Sequence, residues 1–252
     1  MKIKLQTRDF NSYGVQSDTQ NSIVKAATYD KKEYYSYLVF SGQGGLAGTV
    51  LEKIDMMSGE RVFTKTLITP RTIGQVDVLN SQATALIYST TDNTVYVTGT
   101  YRHSTGPLAT DTTRSAWVAS VEWSGNNLNF RKITSPSGQS SLSSTVDAVG
   151  VTYTFGKIVI LSAFNPQSNA PYTGVPGINR MINGKICKNN EDDKCAWQEL
   201  IIRIESDLSD MKAPEYRFVK ARETQPQEDV LPRAISRATR LNINGGGEHW
   251  TE

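Results

Sequence analysis

ATALIYSTTDNTVYVTGTYRHSTGPLATDTTRSAWVASVEWSGNNLNFRKI, residues 83–133, is the stretch that decides the fold. Four runs within it alternate with period two and are rich in Val, Ile, Thr, Tyr, Phe and Trp. They are ATALIYS (83–89), TVYVTG (94–99), AWVASVEW (116–123) and LNFRKI (128–133). β-Branched and aromatic side chains fit a pleated, half-buried surface, so these runs read as strands. Short polar turns join the first to the second and the third to the fourth. A longer stretch, RHSTGPLATDTTRS (102–115), separates the middle pair.

The same four-part phrase recurs on either side. Before it stand SIVKAATY (22–29), YSYLVFSG (35–42), TVLEKID (49–55) and RVFTKTL (61–67). After it come VDAVGVTYT (146–154), KIVILSAF (157–164), AWQELIIRIE (196–205) and YRFVKA (216–221). No segment longer than a few residues carries a helical period. Four antiparallel strands repeated at roughly 60-residue spacing is how a propeller blade reads. A β-sandwich or barrel also has many short strands, but neither requires one phrase to recur in one internal order. The expected fold is therefore all-β and β-propeller-like, with three four-stranded antiparallel blades over residues 22–69, 81–135 and 145–222.

A loose strand is expected at each end. MKIKLQ, within residues 1–10, matches the last strand of a preceding blade, and AISRATRLNI (234–243) matches the first strand of a further one. Such a chain would not close a ring alone. It would be completed by further polypeptide, either a longer parent chain or other copies of itself that donate strands.

The pieces DNTVYVTGTY (92–101), VLEKIDMMSGERVFTKTL (50–67) and WVASVEWSGNNLNFRKI (117–133) resemble repeats of the bacterial-type seven-bladed β-propeller family. In that family a strand of the form "nvYvtG" is followed by a loop and then "fvakld–G–w–k". The resemblance covers about 200 residues and is weakest in the third phrase, where ILSAF (160–164) replaces VTG. It implies a fold and no reaction.

Composition narrows the function classes. The 252 residues include 27 basic and 25 acidic side chains, a formal charge of +2, which gives no electrostatic footprint for nucleic acid or an anionic membrane. Hydrophobic residues make up 38%, and no apolar run approaches the roughly 20 residues of a membrane span. The first ten residues, MKIKLQTRDF, alternate and lack the apolar core of a signal peptide. Either the chain is not exported by that route, or the sequence begins after processing or is a piece of something longer.

Cys187 and Cys195 bracket the acidic loop KNNEDDK. A disulfide there would remove about 2–3 kcal/mol of unfolded-state entropy and would place the protein in an oxidising compartment, extracellular or at the cell surface. Two reduced, unrelated cysteines are the alternative. The absence of an Asn-x-Ser/Thr sequon weighs slightly against a glycosylating pathway.

No catalytic set assembles in the sequence. Gly42, Gly44 and Ala47 in GQGGLAG fit a dinucleotide fingerprint, but the next run, TVLEKID, alternates as a strand where the mechanism needs a helix. Histidine is confined to His103 and His249, too few for a three-histidine metal site. His103 with Ser104 and Asp111 shares one loop, a pattern that polar loops show without catalysis. NNEDD (189–193) offers oxygen ligands to Ca²⁺ but lacks the spacing of a cation loop. No cofactor is implied.

Trp117, Trp123 and Trp197 stand on third strands. Trp117 and Trp197 each follow Ala and so read as equivalent packing residues.

The leading expectation is a non-enzymatic structural or interaction module. Its long loops, including 102–115 and 165–194, share one face, where Arg102, His103, Tyr172 and Arg180 are the candidate partner contacts. The alternatives are a propeller enzyme, a lyase or glycoside hydrolase for which Asp147 is nearly the only first-strand acid, or a propeller that binds glycans or a metal.

Overall fold

A computed structural model describes residues 23–30, 35–41, 49–68, 78–103, 114–133, 144–166 and 198–218. Among them are twelve strands and no helix, arranged as three four-stranded antiparallel sheets, each in sequence order. The first sheet holds β1 (Ile23–Asp30), β2 (Tyr35–Ser41), β3 (Thr49–Asp55) and β4 (Arg61–Ile68). The second holds β5 (Val78–Ser89), β6 (Thr94–His103), β7 (Arg114–Glu122) and β8 (Leu128–Ile133). The third holds β9 (Ser144–Thr154), β10 (Lys157–Pro166), β11 (Gln198–Glu205) and β12 (Glu215–Phe218).

The three sheets share a common register at their first strand pairs. The first hairpins close on the pairs Asp30–Tyr35, Ser89–Thr94 and Thr154–Lys157. Counting back from each closure, the first strand carries one extra residue at the same place: Lys25, Thr84 and Val149. An extra residue switches the side-chain parity of a strand and sharpens its twist. Ala148 and Val151 therefore both face the core although they lie three positions apart. The third hairpin turns on Phe155 and Gly156, both with positive φ, the two-residue type I′ turn that matches strand twist.

Two apolar cores lie between the sheets. One joins the first and second sheets through Tyr37, Val39, Leu51, Leu67, Val95, Val97, Trp117, Ala119 and Val121. The other joins the second and third through Tyr96, Ala116, Val118, Ile133, Ile158, Ile160, Phe164, Leu200 and Ile202. The second sheet is therefore buried on both faces, and alternate residues of β6 and β7 serve different cores. This is why TVYVTG and AWVASV are nearly unbroken in apolar character, whereas RVFTKTL has charged and polar outward positions. A strand covered on one side alternates fully, and one covered on both sides does not.

Several boundaries differ from the sequence reading. β5 begins at Val78, three residues inside the expected connecting loop, because Val78 and Asn80 pair with His103 and Arg102. Arg102 and His103 end β6, Arg114 and Ser115 open β7, and Asn165 and Pro166 extend β10. Edge pairing continues past the apolar residues because ladder hydrogen bonds use backbone, which residue type does not reveal.

Trp123 lies in the turn after β7, not on the strand. Trp117 pairs with Gly99, and the corresponding place in the third sheet is filled by Leu200. Trp197 lies outside the described residues. Residues 1–10 and 234–243 lie outside the described residues.

Candidate functional site

Antiparallel order sends the β2–β3-type connections and the links between sheets to one end of every sheet, and the tight turns to the other. At the loop end of the second and third sheets, Arg114 Nη2 bonds Asp147 Oδ2 at 2.6 Å. Beside this pair the Ala148 amide donates to Thr100 Oγ1. Burial pushes the Tyr101 phenol up to about 12 against the opposing hydrogen bond with Ser115.

Asp147, the first-strand acid of the enzyme alternative, is an ion-pair partner between the second and third sheets. Asp147 and Glu199 both pair with Ala163, one on each side, so two strand spacings, roughly 10 Å, separate them. Burial raises the Glu199 carboxyl above the usual carboxylate range.

The backbones of Arg102 and His103 sit at this end. Tyr172, Arg180, Cys187, Cys195, Ser104, Asp111, His249 and the NNEDD run lie outside the described residues, as do Gly42, Gly44 and Ala47. The chain resumes after GQGGLAG as strand β3. Among the described residues no three His, Cys, Asp or Glu side chains come together as a metal set.

The contacts that sequence reading missed lie at the turn end, along the seams between sheets. Lys53 on β3 is buried, and its ammonium lies 3.7 Å from the Trp123 ring centroid and 4.0 Å from that of Tyr35. It also donates to the Trp123 carbonyl at 3.3 Å. Such a desolvated cation over aromatic faces is worth about 2 kcal/mol. Next to it Lys65 on β4 donates to the Asn126 carbonyl in the β7–β8 turn. Gly125, at φ +82°, lies flat on the Phe63 ring, where an added Cβ would stand 3.0 Å from the ring carbons.

The second seam repeats the arrangement with a stronger donor. Arg131 on β8 is buried and donates to the carbonyls of Ser209 at 2.7 Å and Lys212 at 2.6 Å in the β11–β12 turn. Its Nε also meets Asp210 at 3.2 Å. This explains the one long turn at this end: residues 206–214 wrap the guanidinium, and Leu208 enters the core. A groove of about 450 Å³ beside it, lined by Phe130, Arg131, Lys132, Asp210 and Pro214, is the rim of this seam.

Stacked tyrosines recur too. Tyr37 lies on Tyr88 at 5.4 Å, and Tyr96 lies on Tyr153 at 5.6 Å. Tyr37 and Tyr96 occupy the same register place on the second strands of their sheets. Tyr96 also donates to Asp92, and burial followed by that neighbouring carboxylate pushes its phenol far above the usual range.

Register shows the common rule. Lys65 pairs with Leu51, Arg131 with Val118 and Arg217 with Ile201, and these are equivalent positions in the three sheets. In the first two, the cation of one sheet grips turn carbonyls of the next.

These features define a class: an all-β protein of four-stranded antiparallel sheets docked in series through repeated seams. No protein-family model matches the chain, and no curated protein matches it.

Proposed function

We propose that this chain is a non-enzymatic structural and interaction module of the β-propeller type, its three sheets acting as successive blades. In this reading it resembles the bacterial-type seven-bladed repeats, presents its loop end to protein partners and joins other polypeptide through its outer sheets. One observation carries it: the same seam, with a fourth-strand cation on the next sheet's turn and a Tyr–Tyr stack, occurs twice in register. A seam that repeats is a device for adding sheets in series, as in propellers and other repeat folds.

Deleting residues 168–192 tests the role of the loop end. The β circular dichroism signal should persist while association with partners captured by the intact chain weakens. Unchanged partner binding would sink the assignment of that end.

A further inference from the structure

We infer that the outer half of the third sheet docks the β3–β4 turn of a second copy of this chain, with Arg217 as the donor. The inference rests on the reading of this chain as an assembling module, and it assigns the site of assembly.

The donor side is built like the two seams already made. Arg217 occupies the register place of Lys65 and Arg131. It is exposed and makes no hydrogen bond or ion pair among the described residues. Around it, on the face turned away from the second sheet, Ile201 is half-buried and Arg203 is exposed. Nearer β9 the same face is closed, since Thr152, Leu161 and Ala163 are buried. The open part is thus the β11–β12 half, the part that receives a turn in both existing seams.

The acceptor side is the first of the three turns in the series. The β7–β8 turn receives Lys65 and the β11–β12 turn receives Arg131, which leaves the β3–β4 turn. Asp55 holds it in shape by accepting from the amides of Met57 and Ser58, and the Gly59 amide donates to the Asp55 carbonyl. Every residue from Met56 to Glu60 is exposed.

Gly59, like Gly125, has positive φ (+73° and +82°), but it has open space where Gly125 lies against Phe63. Met57 is 79% exposed, and Val62, the unpaired residue where β4 bulges against β3, is 50% exposed. Large apolar side chains in this position have a use at an interface.

Charge also fits at Arg217. Asp55 and Glu60 stand on the turn, and on the receiving face Arg203 is paired with Glu215 at 3.2 Å, which leaves Arg217 to meet the turn as Arg131 meets Asp210 within the chain. Guanidinium donating to several turn carbonyls is directional as well as charged, which fixes orientation. The contact is head-to-tail, so repetition yields a closed ring or an open filament according to the angle per step.

The test is sedimentation of the full chain from about 1 to 100 µM, the range in which a small interface of micromolar affinity shows itself. The intact chain should associate with concentration, and Arg217→Glu should weaken association at least tenfold with its circular dichroism unchanged. Asn129→Glu, a charge change on the exposed surface of the second sheet, should associate as the intact chain does. Oxidising a mixture of Arg217→Cys and Ser58→Cys chains should yield a peptide linking positions 217 and 58 by mass spectrometry. If the intact chain associates, but Arg217→Glu associates equally and no 217–58 link forms, the site is wrong and the assembly reading stands. A chain that stays monomeric throughout overturns both.

Discussion

Gly99 shows how closely a single residue can be specified. An added Cβ would overlap the Gln82 carbonyl and stand 2.5 Å from the Trp117 ring carbons. Neither can retreat cheaply, since one is strand backbone and the other a fully buried ring stacked on Phe130. Gly99→Ala should cost about 3 kcal/mol or more, read from the midpoint of urea unfolding; a loss below about 1 kcal/mol would contradict this packing.

Glu199 gives a residue-scale effect of the opposite sign. Burial raises its folded-state pKa above its unfolded one, so the folded state favours the protonated carboxyl. Stability from this group is full at acid pH and falls as pH rises from the unfolded pKa through the folded one. Glu199→Gln should therefore stabilise the protein at pH 7 and change little at pH 4, by urea midpoints at the two pH values. Equal effects at both would show that charge is not the cause.

At the scale of elements, the β11–β12 turn and β8 are one unit. Arg131 is buried, and truncating it leaves turn carbonyls without their donor. Arg131→Ala should cost about 2–4 kcal/mol, and Arg131→Lys should recover less than half, since a single ammonium nitrogen cannot stand where Nη1, Nη2 and Nε separately meet Ser209, Lys212 and Asp210. Thermal unfolding of the pair checks both numbers.

The sequence phrases of the last strands hide this unit. Lining up Phe63, Phe130 and Phe218 in RVFTKTL, LNFRKI and YRFVKA sets Lys65 beside Lys132 and Lys220. Pairing in the sheets instead sets Lys65 beside Arg131 and Arg217. A strand's similarity in sequence leaves its register undetermined, and a one-residue slip moves a cation to the other face.

At the scale of the whole molecule, serial docking predicts graded stability. The apolar core between the first two sheets is separate from that between the second and third, so weakening one seam should loosen its own outer sheet first. Lys53→Met keeps the length of the side chain while removing the cation from the Tyr35–Trp123 cage. Amide exchange should then speed in β1–β4 well before β9–β12; uniform acceleration would mean a single cooperative unit instead.

Local features were legible in the chain alone: period-two alternation, aromatic and β-branched content and polar turns specify twelve strands and their grouping by four. These are properties of neighbouring residues, and they suffice because strand formation and hairpin pairing are short-range. The nearly unbroken apolar runs of TVYVTG and AWVASV also belong to the doubly buried sheet, since each face contributes its own alternate residues. Which cations are buried was settled by the docking of the sheets. Lys53 and Arg131 look like ordinary surface charges in a strand, and their partners, at Trp123 and Ser209, are 70 and 78 positions away. A backbone carbonyl has no residue type to read, so an acceptor of that kind becomes visible only in the tertiary arrangement.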